Sequence, residues 1–158
     1  PYYFGGLALC IGSASIVNAR LVMRLGMRKL CTWALLAKVV WSSGFFIAAY
    51  LIERSGDGHL SLMAFLVWAA FAFFLLGVLF GNVNAVAMEP VGHMAGMGSA
   101  VVGSISGFVS LGIGAYIGQS YDGNVLPLLA GFTILAPISL LIMKWADGGA
   151  SVETQPDM

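Results

Sequence analysis

Short polar connections divide the chain into five apolar stretches, at residues 3–19, 30–52, 60–80, 94–118 and 125–143. An α-helix needs about 20 apolar residues to cross the hydrocarbon core of a bilayer, and four of the five reach or nearly reach that length. The first, 3–19, is the shortest. Backbone groups in hydrocarbon must be satisfied within their own segment, which selects helices for isolated apolar runs of this size. The pattern therefore predicts an all-α fold: a polytopic transmembrane helical bundle over residues 1–145. A polar tail at 146–158 is expected to be irregular. Lys38 is the one charged residue inside a predicted span.

Charge orients the bundle. The connections are 20–29, 53–59, 81–93 and 119–124, and alternate ones share a side. The first holds Arg20, Arg24, Arg28 and Lys29, and Lys144 follows the last span on the same side; the opposite side has only Arg54. Lys and Arg mark the cytoplasmic face. The chain is thus expected to start outside and to end in the cytoplasm.

Composition supports a lipid environment. Of 158 residues, 59% are hydrophobic and 9% charged, and mean hydropathy is +0.93. Soluble domains carry about 25% charged residues. A net charge of zero gives no reason to expect a nucleic-acid partner. Cys10 and Cys31 have no ligand-like spacing and read as small buried or lipid-facing residues. Pro1 in place of Met, with no basic segment before the first apolar stretch, reads as a cut end of a longer protein.

The spans differ in texture. Residues 94–118 form a small-residue ladder: Ser99, Gly103 and Gly107 at four-residue spacing, then Ser106, Ser110, Gly114 and Gly118. Helices in lipid pack through small residues that let backbones approach closely, so this span is expected to present two stripes to close neighbours. The first span has a milder version in Gly5, Gly6, Gly12, Ser13 and Ser15. Two Gly/Ser-rich spans three apart are what a three-helix inverted repeat of a transporter would give. The span 60–80 is instead aromatic, with Phe65, Trp68, Phe71, Phe73, Phe74 and Phe80.

Several residues carry candidate chemistry. In the basic connection, Gly26 would permit a tight reversal, with Arg24 and Arg28 reaching helix ends or acidic groups. Pro90 cannot continue a helix and biases Glu89 toward extended backbone. Glu89 and His93 read either as a proton pair or as solvated loop residues. Lys38 lies about 12 Å along its helix from Leu30. It either snorkels to the cytoplasmic headgroups or faces inward in a functional role. Asp122 would cap the fourth span or stabilise the turn at Gly123, and Pro137 predicts a kink. With no phosphate-binding glycine loop, metal-ligand cluster or nucleophile–base pair in the sequence, neither an enzyme nor a cofactor is expected.

Two strings carry a family resemblance. Residues 18–30, with Asn18 and Arg20 leading into Arg24, Gly26, Arg28 and Lys29, look like the cytoplasmic loop motif of the major facilitator superfamily, roughly G-x-L-A-D-R-x-G-R-R. The motif's acidic residue falls at Met23. Residues 82–99 resemble the loop before the eleventh helix of Bcr/CflA-type drug/proton antiporters, A-M-x-P-x-G-x-x-A-G-x-A-S. Ala87, Met88, Pro90, Gly92, Ala95, Gly96 and Ser99 match, with Gly98 at the small position before the serine. Gly118, Gln119, Asp122 and Gly123, followed by Pro127, look like that family's G-Q-x-x-D-G. The resemblance covers all but the tail and implies helices eight to twelve of a twelve-helix transporter.

What it implies is specific. The activity would be proton-driven efflux of small apolar drugs across a bacterial inner membrane. The proton gradient would drive transport, and the coupling acid and much of the substrate site would lie in an N-terminal half outside this sequence. Phe65, Trp68 and Phe71 would belong to the helix lining the central cavity. Gly12, Ser99, Gly103, Gly107, Ser110, Gly114 and Gly118 would form the sliding contact between halves. Lys38 would fall on a peripheral helix, which favours snorkelling. The alternatives are a carrier of another small solute, a membrane enzyme, or a scaffold subunit without transport.

Overall fold

The computed structural model describes residues 2–56, 58 and 60–153, and it is helical nearly throughout. Five α-helices follow in order: α1 (Tyr2–Leu25), α2 (Met27–Ser55), α3 (Leu62–Met88), α4 (Ala95–Gln119) and α5 (Leu126–Glu153). A 3-10 segment, Glu89–Met94, joins α3 to α4. Four runs among the described residues are long and apolar enough to cross a membrane: Gly5–Leu25, Met27–Ser55, Leu62–Gln119 and Leu126–Gly148. The third run has 58 residues, about 87 Å as helix against a hydrocarbon core of about 30 Å. It is divided at the 3-10 segment into two helices of crossing length, so the chain forms a multi-pass helical membrane bundle.

The helices outrun the apolar stretches that predict them. Polar residues mark where a chain leaves hydrocarbon, not where its helix stops. Asn18, Arg20 and Arg24, expected in a connection, are therefore helical residues of α1, and Arg28 and Lys29 open α2. The connection itself shrinks to Gly26. Its φ of 78° belongs to the left-handed side that favours glycine, and it turns the chain between helices with a single residue.

The 3-10 segment also departs from expectation. Glu89 is helical (φ −50°, ψ −50°), not extended. A proline near a helical start is compatible with helical backbone, so the break moves downstream to Val91 (φ −114°, ψ 20°) and Met94 (φ −126°, ψ 40°). At the other end of the chain, α5 continues to Glu153, well into the segment expected to be irregular. Its extension is anchored by Asp147, which accepts a hydrogen bond from Arg28 at 2.9 Å. Residues 154–158 of that tail lie outside the described residues. Pro137 stands inside α5, which runs on through it as helix.

Alternate helices run parallel. Gly77 of α3 meets Ala14 and Ile11 of α1, and five residues on Asn82 donates to Asn18, so both helices advance together. Against them α2 packs antiparallel, touching α3 and α5 along its length. Two apolar clusters result. One gathers Leu30, Cys31, Ala34, Leu35, Val78, Leu79 and Met143 near the basic end. The other gathers Ala49, Trp68, Ala69, Ala72 and Leu129 near the opposite end.

Each end has its own polar clasp. At the basic end Arg28 bridges Glu89 of the 3-10 segment and Asp147 of α5. At the other end Asn124 donates to Glu53 at 2.7 Å, while its Oδ1 accepts from Leu126 N at the start of α5. Asp122 accepts from Asn124 N beside Gly123 (φ 97°), which is the turn expected there.

Candidate functional site: an aromatic cavity beside an intramembrane lysine

The aromatic span becomes α3, and its aromatics do not share one face. Successive residues of a helix rotate by about 100°. Phe65, Trp68, Ala69 and Ala72 therefore lie close around one side, and Phe71 lies about 120° from Phe65. The structure follows this geometry. Phe65 and Trp68 line a cavity of about 500 Å³ with Tyr3 and Leu7 of α1 and Leu128 and Phe132 of α5. That volume lies in the range of small-molecule pockets, as does the apolar, aromatic character of the wall. Phe71 points elsewhere. It stacks obliquely on Trp41, with ring centroids 4.6 Å apart, and the two line a separate hollow of about 360 Å³ with Trp33. Two of the three expected cavity residues are thus brought together and the third is not.

Phe132 was not foreseen. It completes the cavity wall by meeting Trp68 edge-on, at 5.2 Å between centroids and 86° between planes. The arrangement suits aromatic quadrupoles. It is the one aromatic residue of the span 125–143, a signal that the sequence offered, but only the packing of α5 on α3 shows which wall it completes.

Lys38 reaches the same ring. Its Nζ lies 5.0 Å from the Phe132 centroid, a cation–π distance. Phe132 is about 18 Å of helical rise from Lys144, which marks the basic end of α5. The ammonium therefore does not snorkel to the basic face, as its place in the sequence suggests, but turns into the bundle. Three buried side-chain polar atoms lack hydrogen-bond partners among the described residues: Ser42 Oγ, Trp68 Nε1 and Thr133 Oγ1. Ser42 is one turn from Lys38 along α2, Thr133 follows Phe132, and Trp68 touches Phe132. No carboxylate accompanies Lys38 among the described residues. Glu53, Glu89, Asp122, Asp147 and Glu153 all stand in the last two turns of a helix or in the segments between helices.

The glycines of the ladder meet no close neighbour among the described residues. Added Cβ atoms at Gly12, Gly103, Gly107, Gly114 and Gly118 would meet nothing within 4 Å, and Ser110 is exposed. No residue of α4 is buried among the described residues. Ser99 and Ser106 turn their hydroxyls back onto carbonyls of their own helix, the usual local alternative to a partner. Close helix contact occurs instead at Gly77, whose added Cβ would come 2.7 Å from Ala14 Cβ and 2.9 Å from Ile11 O. Asn82, 5% exposed, locks the same interface by donating to Asn18 and to Val78 O.

The loop residues are placed at the basic end. Met88 closes α3, and its side chain lies with Val91 against Gly98. Pro90, Gly92 and Gly96 are exposed, with open space at both glycines. Glu89 is held by Arg28 and not by His93. Arg28, Glu89 and Pro90 line a wider cleft of about 830 Å³ that also includes Met143 and Trp145. Trp145 is 82% exposed, so this cleft is open at the bundle's edge. The smaller aromatic cavity is the more enclosed place for a ligand.

Among the described residues no three His, Cys, Asp or Glu side chains are grouped as metal ligands would be. No family model matches the chain, and neither a curated protein nor a solved structure matches it.

Proposed function

We propose that this chain carries part of the substrate site of a proton-driven secondary transporter that exports small apolar compounds across a bacterial inner membrane. The observation that carries this reading is the aromatic cavity between α1, α3 and α5, with Phe65 and Trp68 in its wall. Its apolar wall, built from three membrane helices, suits a solute that enters from within the bilayer. The resemblance of residues 18–30 and 82–99 to drug/proton antiporters of the major facilitator superfamily supplies the cargo class and the energy source. On this reading the chain is no enzyme, needs no cofactor, and keeps Lys144 and the basic end in the cytoplasm.

The unburied α4 supports the second element of the proposal. Its Gly/Ser stripes, with Gly12 of α1, would slide on an N-terminal half of the same transporter. The bare helix also favours one alternative, a scaffold subunit that docks through α4 without transporting. Efflux separates them. In inverted membrane vesicles holding the complete transporter, Phe65→Ala is expected to reduce proton-driven accumulation of a lipophilic dye at least tenfold, with expression unchanged. Normal accumulation in that variant removes the cavity from the transport path; absence of any gradient-driven accumulation in the parent favours the scaffold.

A further inference from the structure

We propose that Lys38 is a specificity-determining residue of the aromatic cavity, setting it for lipophilic anions, such as aromatic carboxylates, over lipophilic cations of the same shape. The inference rests on the reading of that cavity as the substrate site.

Phe132 joins the cavity to Lys38. One ring serves two purposes: it walls the cavity and it receives the Lys38 ammonium at 5.0 Å. An aromatic face attracts cations because of its quadrupole. A cage of Tyr3, Phe65, Trp68, Phe73 and Phe132 would ordinarily favour a lipophilic cation. Here an internal cation already occupies one of those rings, and its field opposes a second. A ligand in van der Waals contact with Phe132 adds about 4 Å, which places its charge about 9 Å from Nζ.

At that separation and an effective dielectric of about 20, one unit charge changes affinity by about 20-fold, favourably for an anion and unfavourably for a cation. No carboxylate inside the spans neutralises the ammonium among the described residues. Residues adjoining this pair along the helices or touching Phe132 carry further donor groups. Trp68 Nε1, Ser42 Oγ and Thr133 Oγ1 are buried without partners; the indole only donates, and both hydroxyls are free to donate. Ser42 is fully buried and Trp68 is 2% exposed, so bulk water does not satisfy them. An ammonium with no carboxylate partner among the described residues, seated on a ring that walls an apolar chamber, favours an anion whose apolar part fills that chamber.

The test uses tetraphenylborate and tetraphenylphosphonium, which share a shape and differ in charge. Binding of each is measured by equilibrium dialysis against the complete protein in lipid nanodiscs, with empty nanodiscs subtracted. The readout is the anion-to-cation affinity ratio of a variant relative to the parent, which cancels the lipid's own preference. Lys38→Met and Lys38→Gln are expected to lower that ratio by tenfold or more, and Lys38→Arg to keep it within threefold. A smaller fall in both neutral variants overturns the proposal, as does an equal fall in Lys38→Arg. If the ratio is unmoved while both probes still bind and are weakened by Phe65→Ala, charge selection fails and the cavity reading survives. If neither probe binds the parent, both fail.

Discussion

Helices α3 and α4 are neighbours in sequence, similar in length and equally free of charge, yet they live in different surroundings. Seven residues of α3 are buried, from Trp68 to Asn82, and none of α4 among the described residues. By composition the reverse is expected, since α4 is rich in the small residues that permit close approach and α3 is bulky. The difference shows that small residues allow contact without causing it. What decides is whether a complementary surface faces them. A single glycine, Gly77, does for α3 what the whole ladder does not do for α4. It meets Ala14 and the backbone of Ile11 and has Asn82 one and a half turns on to fix the register.

The largest effect is expected at Gly77. A Cβ there already collides with Ala14 Cβ and Ile11 O, and neither backbone can yield cheaply. Gly77→Leu is expected to cost about 3 kcal/mol, the upper part of the range for overpacking, and to separate α1 from α3. The unfolding midpoint of purified protein in nanodiscs, titrated with a denaturing detergent, reads this directly. A loss below about 1 kcal/mol would show that α1 and α3 do not meet there.

Asn82→Ala tests the polar half of the same interface. Interhelical hydrogen bonds in membranes contribute about 0.6 kcal/mol on average and up to about 1.7. Asn82 is nearly fully buried and leaves Asn18 without its partner when removed, so a loss of about 1 kcal/mol is expected in the same titration. Asn18→Ala should cost less than that, because Asn82 retains its bond to Val78 O. Combining the two should add little to the cost of Asn82→Ala alone, since both remove one interaction.

How much of this was legible in the sequence follows from what each signal measures. The apolar runs located the helices because hydrocarbon imposes a minimum length, and Gly26 and the Asp122–Asn124 turn were legible because backbone geometry demands particular residues. Helix ends were not, because Arg20, Arg24 and Asp147 leave lipid without leaving helix. The cavity was legible in part. An aromatic run announces bulk but not direction, so Phe71 stands on another face, and Phe132, the one phenylalanine of α5, was visible as an aromatic but not as a cavity wall. Lys38 was conspicuous as the lone intramembrane charge. Its direction depended on where Phe132 would stand, which no local pattern encodes. The glycine ladder was visible and its partner was not, since a stripe records only one side of a contact.

A smaller effect is expected at the basic clasp. Arg28 holds Glu89 and Asp147 with side chains about a third exposed, so solvent screens the pair and the stabilisation is about 0.5 to 1 kcal/mol. Arg28→Gln should lose that much at low ionic strength and progressively less as salt rises toward 1 M, where the screening length falls to about 3 Å. The clasp ties the start of α2 to the 3-10 segment that launches α4. Mass-resolved hydrogen exchange should therefore show faster exchange at Glu89–Met94 in this variant, with the middle of α3 unchanged. Equal loss at all salt concentrations would mean that Arg28 acts through packing of its stem and not through charge.

The smallest expected effect sharpens the contrast most. Gly107→Leu adds a large side chain to the middle of α4, where an added Cβ meets nothing within 4 Å. Leucine is also the better helix former by about 1 kcal/mol. In the same titration that registers Gly77→Leu, this substitution is expected to leave stability unchanged within about 0.5 kcal/mol or to raise it slightly. If the ladder has no contact to make in the working protein, transport should be equally indifferent. If it slides on another half of the transporter, efflux should collapse while the stability of this bundle holds. A variant that is neutral in folding and damaging in transport would assign α4 to a moving contact. A substantial loss of bundle stability would mean instead that the Gly107 stripe packs within this chain.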